Sequence, residues 1–150
     1  MQDWPDREHY TAEDLVQIIR ILRDPENGCP WDKVQTHASI RKNFLEETCE
    51  ALEAIDADDA VLLREELGDV LMQVVFHADI ESDAGRFTMD DVCDGVVKKL
   101  LFRHPHVFGD GHEDSPEFVL VSWEQLKRRE KGQNTVADSM DSVARSLPSL

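Results

Sequence analysis

The stretch "EELGDVLMQVVFHADI", Glu65 to Ile80, is apolar nearly all the way round once it is wound into a helix. From Leu67 to Ala78, only Gly68, Asp69, Gln73 and His77 interrupt the apolar residues. A helix of this kind is buried among other helices, so its few polar groups are expected to face an internal polar pocket. Glu66 and Asp69 stand one turn apart, and Gln73 and His77 continue the same stripe. Gly68, worth about 1 kcal/mol less than Ala inside a helix, is expected to let a neighbouring helix or a ligand come close.

Upstream, "LEETCEALEAI" sets Glu46, Glu47, Glu50 and Glu53 on a second helix, where Leu45, Cys49 and Leu52 form the apolar face. Like charges three or four residues apart repel by roughly 0.2–0.5 kcal/mol a pair. Either the glutamates form a solvated outer face or something positive sits among them. Glu66 and Asp69 decide between these readings, because carboxylates inside an apolar helix need protonation or a cation. Glu47 and Glu50, facing Glu66 and Asp69 across an antiparallel helix pair, offer an all-oxygen set suited to Mg²⁺ or Mn²⁺. Two irons would normally call for Glu-x-x-His on two helices, and neither "EETCE" nor "ELGD" supplies the histidine.

The remaining elements follow from caps and breakers. "TAEDLVQIIRILR" opens on Thr11 with Asp14 three residues later, a capping pattern for a first helix. "DPENGCPWDKVQTH" reads as a loop, and the second helix is expected from about Ser39 to Ile55. Asp58 or Asp59 caps a third helix over about Ala60 to Ser82, and Gly85 stops it. "TMDD" starts a fourth over about Met89 to Phe102, "RHPHVFGDGHED" is a loop, and Ser115 with Pro116 opens a fifth. No long period-two alternation occurs. The chain is therefore expected to be an all-α bundle of four to five helices over residues 1–132, with residues 133–150 a polar tail or connector.

With 32 acidic against 16 basic residues, the net charge of −16 argues against nucleic-acid binding, which relies on Lys and Arg to neutralise phosphates. The three cysteines are widely spaced and include no C-x-x-C pair, which fits a reducing compartment. "MQDWPDREHY" lacks an apolar signal region and no apolar run reaches the length of a membrane span, so a soluble cytoplasmic protein without a membrane partner is expected.

"EETCE" followed after fifteen residues by "ELGD" resembles the E-E-x-x-E…E-x-x-D signature of the MazG family of nucleoside triphosphate pyrophosphohydrolases. "CPWDKVQTH", "GDVLMQVVFHA", "GRF", "KLLFRHPHVFGD" and "WEQLK" resemble the family in the same order. The resemblance implies an all-α fold completed as a homodimer or higher oligomer. It also implies Mg²⁺-dependent hydrolysis of nucleoside triphosphates to monophosphate and pyrophosphate, with Mn²⁺ as a substitute. Carried over by position, Glu47, Glu50, Glu66 and Asp69 are the implied metal ligands, and Glu46 orients or deprotonates the attacking water.

For the substrate, the resemblance directs attention to Lys99 and Arg103, four residues apart, and to Lys33 in "PWDK" as phosphate contacts. Trp31 is a candidate for stacking on the base and His104 for contacting phosphate. Phe102 departs from the family, which often has a second arginine before "HPHVF". Long members carry a second, similar domain, and this sequence stops where their connector starts. The competing function is a nucleotide- or metal-binding regulatory module with weak catalysis.

Overall fold

The computed structural model describes residues 3–109 and 116–132. Thr11 and Asp14 close a reciprocal cap, Thr11 N donating to Asp14 Oδ2 at 2.8 Å and Asp14 N to Thr11 Oγ1 at 3.4 Å. This box starts α1 (Ala12–Leu22). The following loop carries one 3₁₀ turn, Asp32–Val34. A second box, Thr36 with Ser39, starts α2 (His37–Asp56) two residues before the expected Ser39, which serves inside the box as its third helical residue.

Asp58 ends α2 in the left-handed region, φ 51°, with Asp58 N donating to Ile55 O and Asp59 N to Ala54 O. Asp59 then caps α3 (Ala60–Asp83) through Leu62 N at 3.0 Å, so two adjacent aspartates stop one helix and start the next. Gly85, at φ 71°, closes α3 with the same pair of bonds: its own N donates to Ser82 O, and Arg86 N to Glu81 O. Thr88 and Asp91 form the box that starts α4 (Met89–Arg103). The expected loop after it is in part helical: Pro105–Phe108 is a single turn, α5, and α6 spans Pro116–Lys131. The Ser115 cap and the expected tail over residues 133–150 lie outside the described residues. Among the described residues every regular element is helical.

The chain divides into two compact units, Met1–Val92 and Cys93–Leu150. In the first, α1 and α2 pack on α3 around Ile19, Ile40, Val75 and Phe76, with Leu15, Val16, Met72, Ile80 and Met89 against them. Full burial of such side chains contributes about 1.5–3 kcal/mol each. Arg23 joins this core, its guanidinium over the Phe76 ring at 5.5 Å, bonded to buried Asp79 and to Asp83. Thus α1 engages the second half of α3.

The first half of α3 differs from the expectation of all-round burial. Leu67 is 52% exposed and Leu71 38%. The sequence shows how apolar the helix is but not how many helices surround it here. In the second unit, Arg103 is buried, with Nη2 3.1 Å from Glu130 Oε2 and its guanidinium 5.8 Å from the Trp123 ring centre. Among the described residues, no helix is long and apolar enough to cross a membrane.

Candidate functional site

Three carboxylates from α2 and α3 converge: Glu47, Glu66 and Asp69 each bring one oxygen to within 4.8 Å of the others. Helical geometry explains the grouping, since Glu66 and Asp69 lie one turn apart on α3 and Glu47 faces them from the antiparallel α2. Glu66 is buried, its Oε2 without a hydrogen-bond partner, while Glu47 and Asp69 are half-buried. Burial, then the charge of Glu50, then that of Asp69 push the Glu47 carboxyl above its usual range. The same order holds for Glu66: burial first, then Glu50. Glu50 itself is exposed, beside both groups rather than within the tight triplet.

The arrangement fits a hard divalent cation. Three carboxylates, one of which also carries a buried oxygen without a hydrogen-bond partner, are held on helices with oxygens at a mutual distance that an ion can bridge. Without such an ion these carboxyls hold their protons to higher pH than free ones, the direction in which Glu47 and Glu66 are shifted.

The other residues singled out from the sequence lie outside this triplet. Glu46 is exposed on α2 and pairs with Lys42 one turn earlier at 3.4 Å. Lys33 donates to Pro25 O at 3.3 Å, and Trp31 is 55% exposed in the same loop. Lys99, Arg103 and His104 belong to the second unit. There Lys99 is exposed, Arg103 is engaged by Glu130, and His104 Nδ1 donates to Leu100 O at 2.7 Å.

A second polar cluster bridges the same two helices. His37 Nδ1 lies 2.7 Å from His77 Nδ1, and His37 Nε2 lies 2.5 Å from Glu81 Oε1. Arg86 grips Glu81 with two bonds, at 2.5 and 2.6 Å. Arg86 first, and His37 next, hold the Glu81 carboxyl down at about 2. Burial, reinforced by His37, lowers His77 below its ordinary value. The sequence places His77 on the polar stripe of α3, whereas His37 falls at the edge of an expected loop; the Thr36–Ser39 cap is the signal that puts it on the helix.

Comparison with known proteins gives a consistent picture. Residues 35–108 match the MazG nucleotide pyrophosphohydrolase domain, a span that holds all four expected ligands. The chain is 49% identical over 136 residues to the nucleoside triphosphate pyrophosphohydrolase of Escherichia coli strain K12, covering 91% of this chain and 52% of that protein. It is 50% identical over 121 residues to the nucleoside triphosphate pyrophosphohydrolase/pyrophosphatase MazG of Thermotoga maritima, covering 81% of this chain and 46% of that protein. This sequence therefore spans about half the length of these curated relatives. Among solved structures, it superposes on a mazG-related protein from Thermotoga maritima with a TM-score of 0.63 and 27% identity, covering 77% of this chain and 98% of the other.

Proposed function

This chain belongs to the MazG nucleotide pyrophosphohydrolase family, matched over residues 35–108, and from that premise we propose that it hydrolyses nucleoside triphosphates to the monophosphate and pyrophosphate with Mg²⁺. The observation that carries the proposal is the convergence of Glu47, Glu66 and Asp69 from two helices, with a buried oxygen of Glu66 unpartnered. Glu50, on the same helix as Glu47, completes the ligand set.

When bound, a divalent cation offsets the charge of the triphosphate and lowers the pKa of coordinated water. The protein's part is positioning. Water attacks the α-phosphorus, the bond to the bridging oxygen breaks, and pyrophosphate departs. Glu46, exposed and adjacent in sequence to a ligand, aligns that water and takes up its proton. For Lys33 in the first unit, and for Lys99, Arg103 and His104 in the second, the proposed task is contact with phosphate oxygens, which Arg103 takes up only on leaving Glu130; Trp31 offers an exposed ring for the base.

A homodimer is the natural partner for the exposed apolar residues Leu45, Leu52 and Ile55 on α2 and Leu67 on α3. A second reading, a nucleotide-binding regulatory module, draws on Arg103, which here is committed to Glu130 rather than free for phosphate.

The deciding experiment incubates the purified chain with a panel of ribo- and deoxyribonucleoside triphosphates, with and without Mg²⁺ or Mn²⁺, and analyses the products. Metal-dependent monophosphate and pyrophosphate establish the reaction. Nucleotide binding without turnover favours the regulatory module.

A further inference from the structure

The carboxylate stripe of α3 carries one more polar group, to which the hydrolysis described above gives no task. At 100° per residue, Gln73 falls within about 20° of Glu66 and about 40° of Asp69 around the helix, one turn beyond Asp69. It is 7% exposed, and its Oε1 has no hydrogen-bond partner. Burying that acceptor unpaired costs free energy unless something donates to it. Leu71, Met72 and Val74 show what the surrounding helix uses where only volume is needed. An amide retained beside three converging carboxylates has a different use.

A small hard cation such as Mg²⁺ keeps several of its waters, and each of those waters must find acceptors. Groups that accept from the waters or orient the ligands control affinity almost as strongly as the ligands themselves. We propose that Gln73 is a positioning residue of the cation site, its amide oxygen accepting a hydrogen bond from a water carried by the ion that Glu47, Glu66 and Asp69 hold. A neutral acceptor anchors that water without adding a further negative charge to Glu47, Glu50, Glu66 and Asp69. This role rests on the metal-dependent reading of the site given above.

The test compares the natural chain with Gln73→Leu and Gln73→Glu, using Mn²⁺ alone as the probe and following free Mn²⁺ by electron paramagnetic resonance. Melting temperatures are recorded with and without the metal. Gln73→Leu should bind Mn²⁺ about tenfold more weakly. Its metal-free melting temperature should hold or rise, because an unpaired buried group has gone. Gln73→Glu, which keeps acceptor oxygens, should bind at least as tightly as the natural chain. Unchanged Mn²⁺ affinity in Gln73→Leu would overturn the role, as would a loss of affinity accompanied by a lower metal-free melting temperature. Should Gln73→Leu fail to fold, Gln73→Met carries the same comparison. If the natural chain itself binds no Mn²⁺, the metal-dependent reading falls and this role falls with it. If the natural chain binds and turns over while the Leu variant matches it, only Gln73 is misassigned.

Discussion

Nδ1 of His37 stands 2.7 Å from Nδ1 of His77, with the two rings stacked at a centroid distance of 5.0 Å. At that separation one nitrogen donates and the other accepts, so the pair holds a single shared proton between its facing edges. His37 presents its other nitrogen to the Glu81 carboxylate and therefore donates there. A neutral His37 accepts from His77 and makes His77 Nε2 a bare acceptor, whereas a charged His37 donates to His77 and puts the proton on Nε2; either way that atom is buried without a partner. Protonating His77 would place a second positive charge beside His37 in a site that already holds Arg86.

This arrangement sets the acid limb of stability. His77 is shifted below its ordinary value of 6.5, and Glu81 from 4.5 to about 2. In both cases the unfolded chain takes up the proton first, so stability is full above the unfolded value and falls as pH drops towards the folded one. Two successive losses are expected, one beginning near pH 6.5 and the other between about 4.5 and 2. In thermal melts against pH, His77→Gln should remove the upper loss and Glu81→Gln should flatten the lower. If the His77 variant keeps the upper slope, the histidine is not its source.

Glu47 and Glu66 have the opposite sign. Both are raised above 4.5, so their contribution is present at low pH and is lost as pH rises through their folded values. Mg²⁺ should offset that loss, and at pH values where those protons are still held its binding should release them. Calorimetry of Mg²⁺ binding in two buffers of different ionisation enthalpy should show proton release. A bound cation at a hundred times its Kd would add about 2.7 kcal/mol, all of which EDTA should remove.

Asp69→Asn and Glu50→Gln should leave the helical signal intact while Mg²⁺-dependent turnover falls by about a hundredfold or more. Neutralising either group also relieves repulsion, so the metal-free melting temperature should not fall. Full activity in both variants would refute the ligand assignment. Glu46→Gln should lower kcat by about 10²–10⁴-fold, with Mg²⁺ affinity retained.

Asp79→Ala should destabilise the first unit by more than about 1 kcal/mol in urea titration, since it removes the buried partner of Arg23 and leaves that guanidinium only the exposed Asp83. Arg20→Ala, an exposed partner of the same aspartate at 3.4 Å, should cost less than about 1 kcal/mol. Equal effects would mean that burial does not control the pair.

Local chemistry made much of this fold legible. The Thr11–Asp14 box, the Asp59 cap and the Gly85 stop depend on residues two to four apart, and the sequence displays all of them. The convergence of Glu47 with Glu66 and Asp69 was legible for a related reason, since an i,i+3 pair has few ways to miss a carboxylate facing it on an adjacent antiparallel helix, whereas Glu50, expected in the same set, stands exposed beside it. His37 with His77, Arg23 with Asp79 and Arg103 with Glu130 were not legible, because each joins residues far apart in sequence whose side chains have many alternative partners. Nor does an apolar helix reveal how many neighbours will cover it, which is why the exposure of Leu67 came only with the structure.

The packed cluster of Ile19, Ile40, Val75 and Phe76 supports the far end of α3, whereas the turns that carry Glu66 and Asp69 have Leu67 and Leu71 facing outward. Amide hydrogen exchange along this helix should therefore be graded: slow around Val75 and Phe76, fast from Ala60 to Leu71, with the site opening locally before the whole unit does. A ligand seated among the carboxylates would supply the cohesion that apolar packing does not, and its arrival would be written in the slowing of those turns alone.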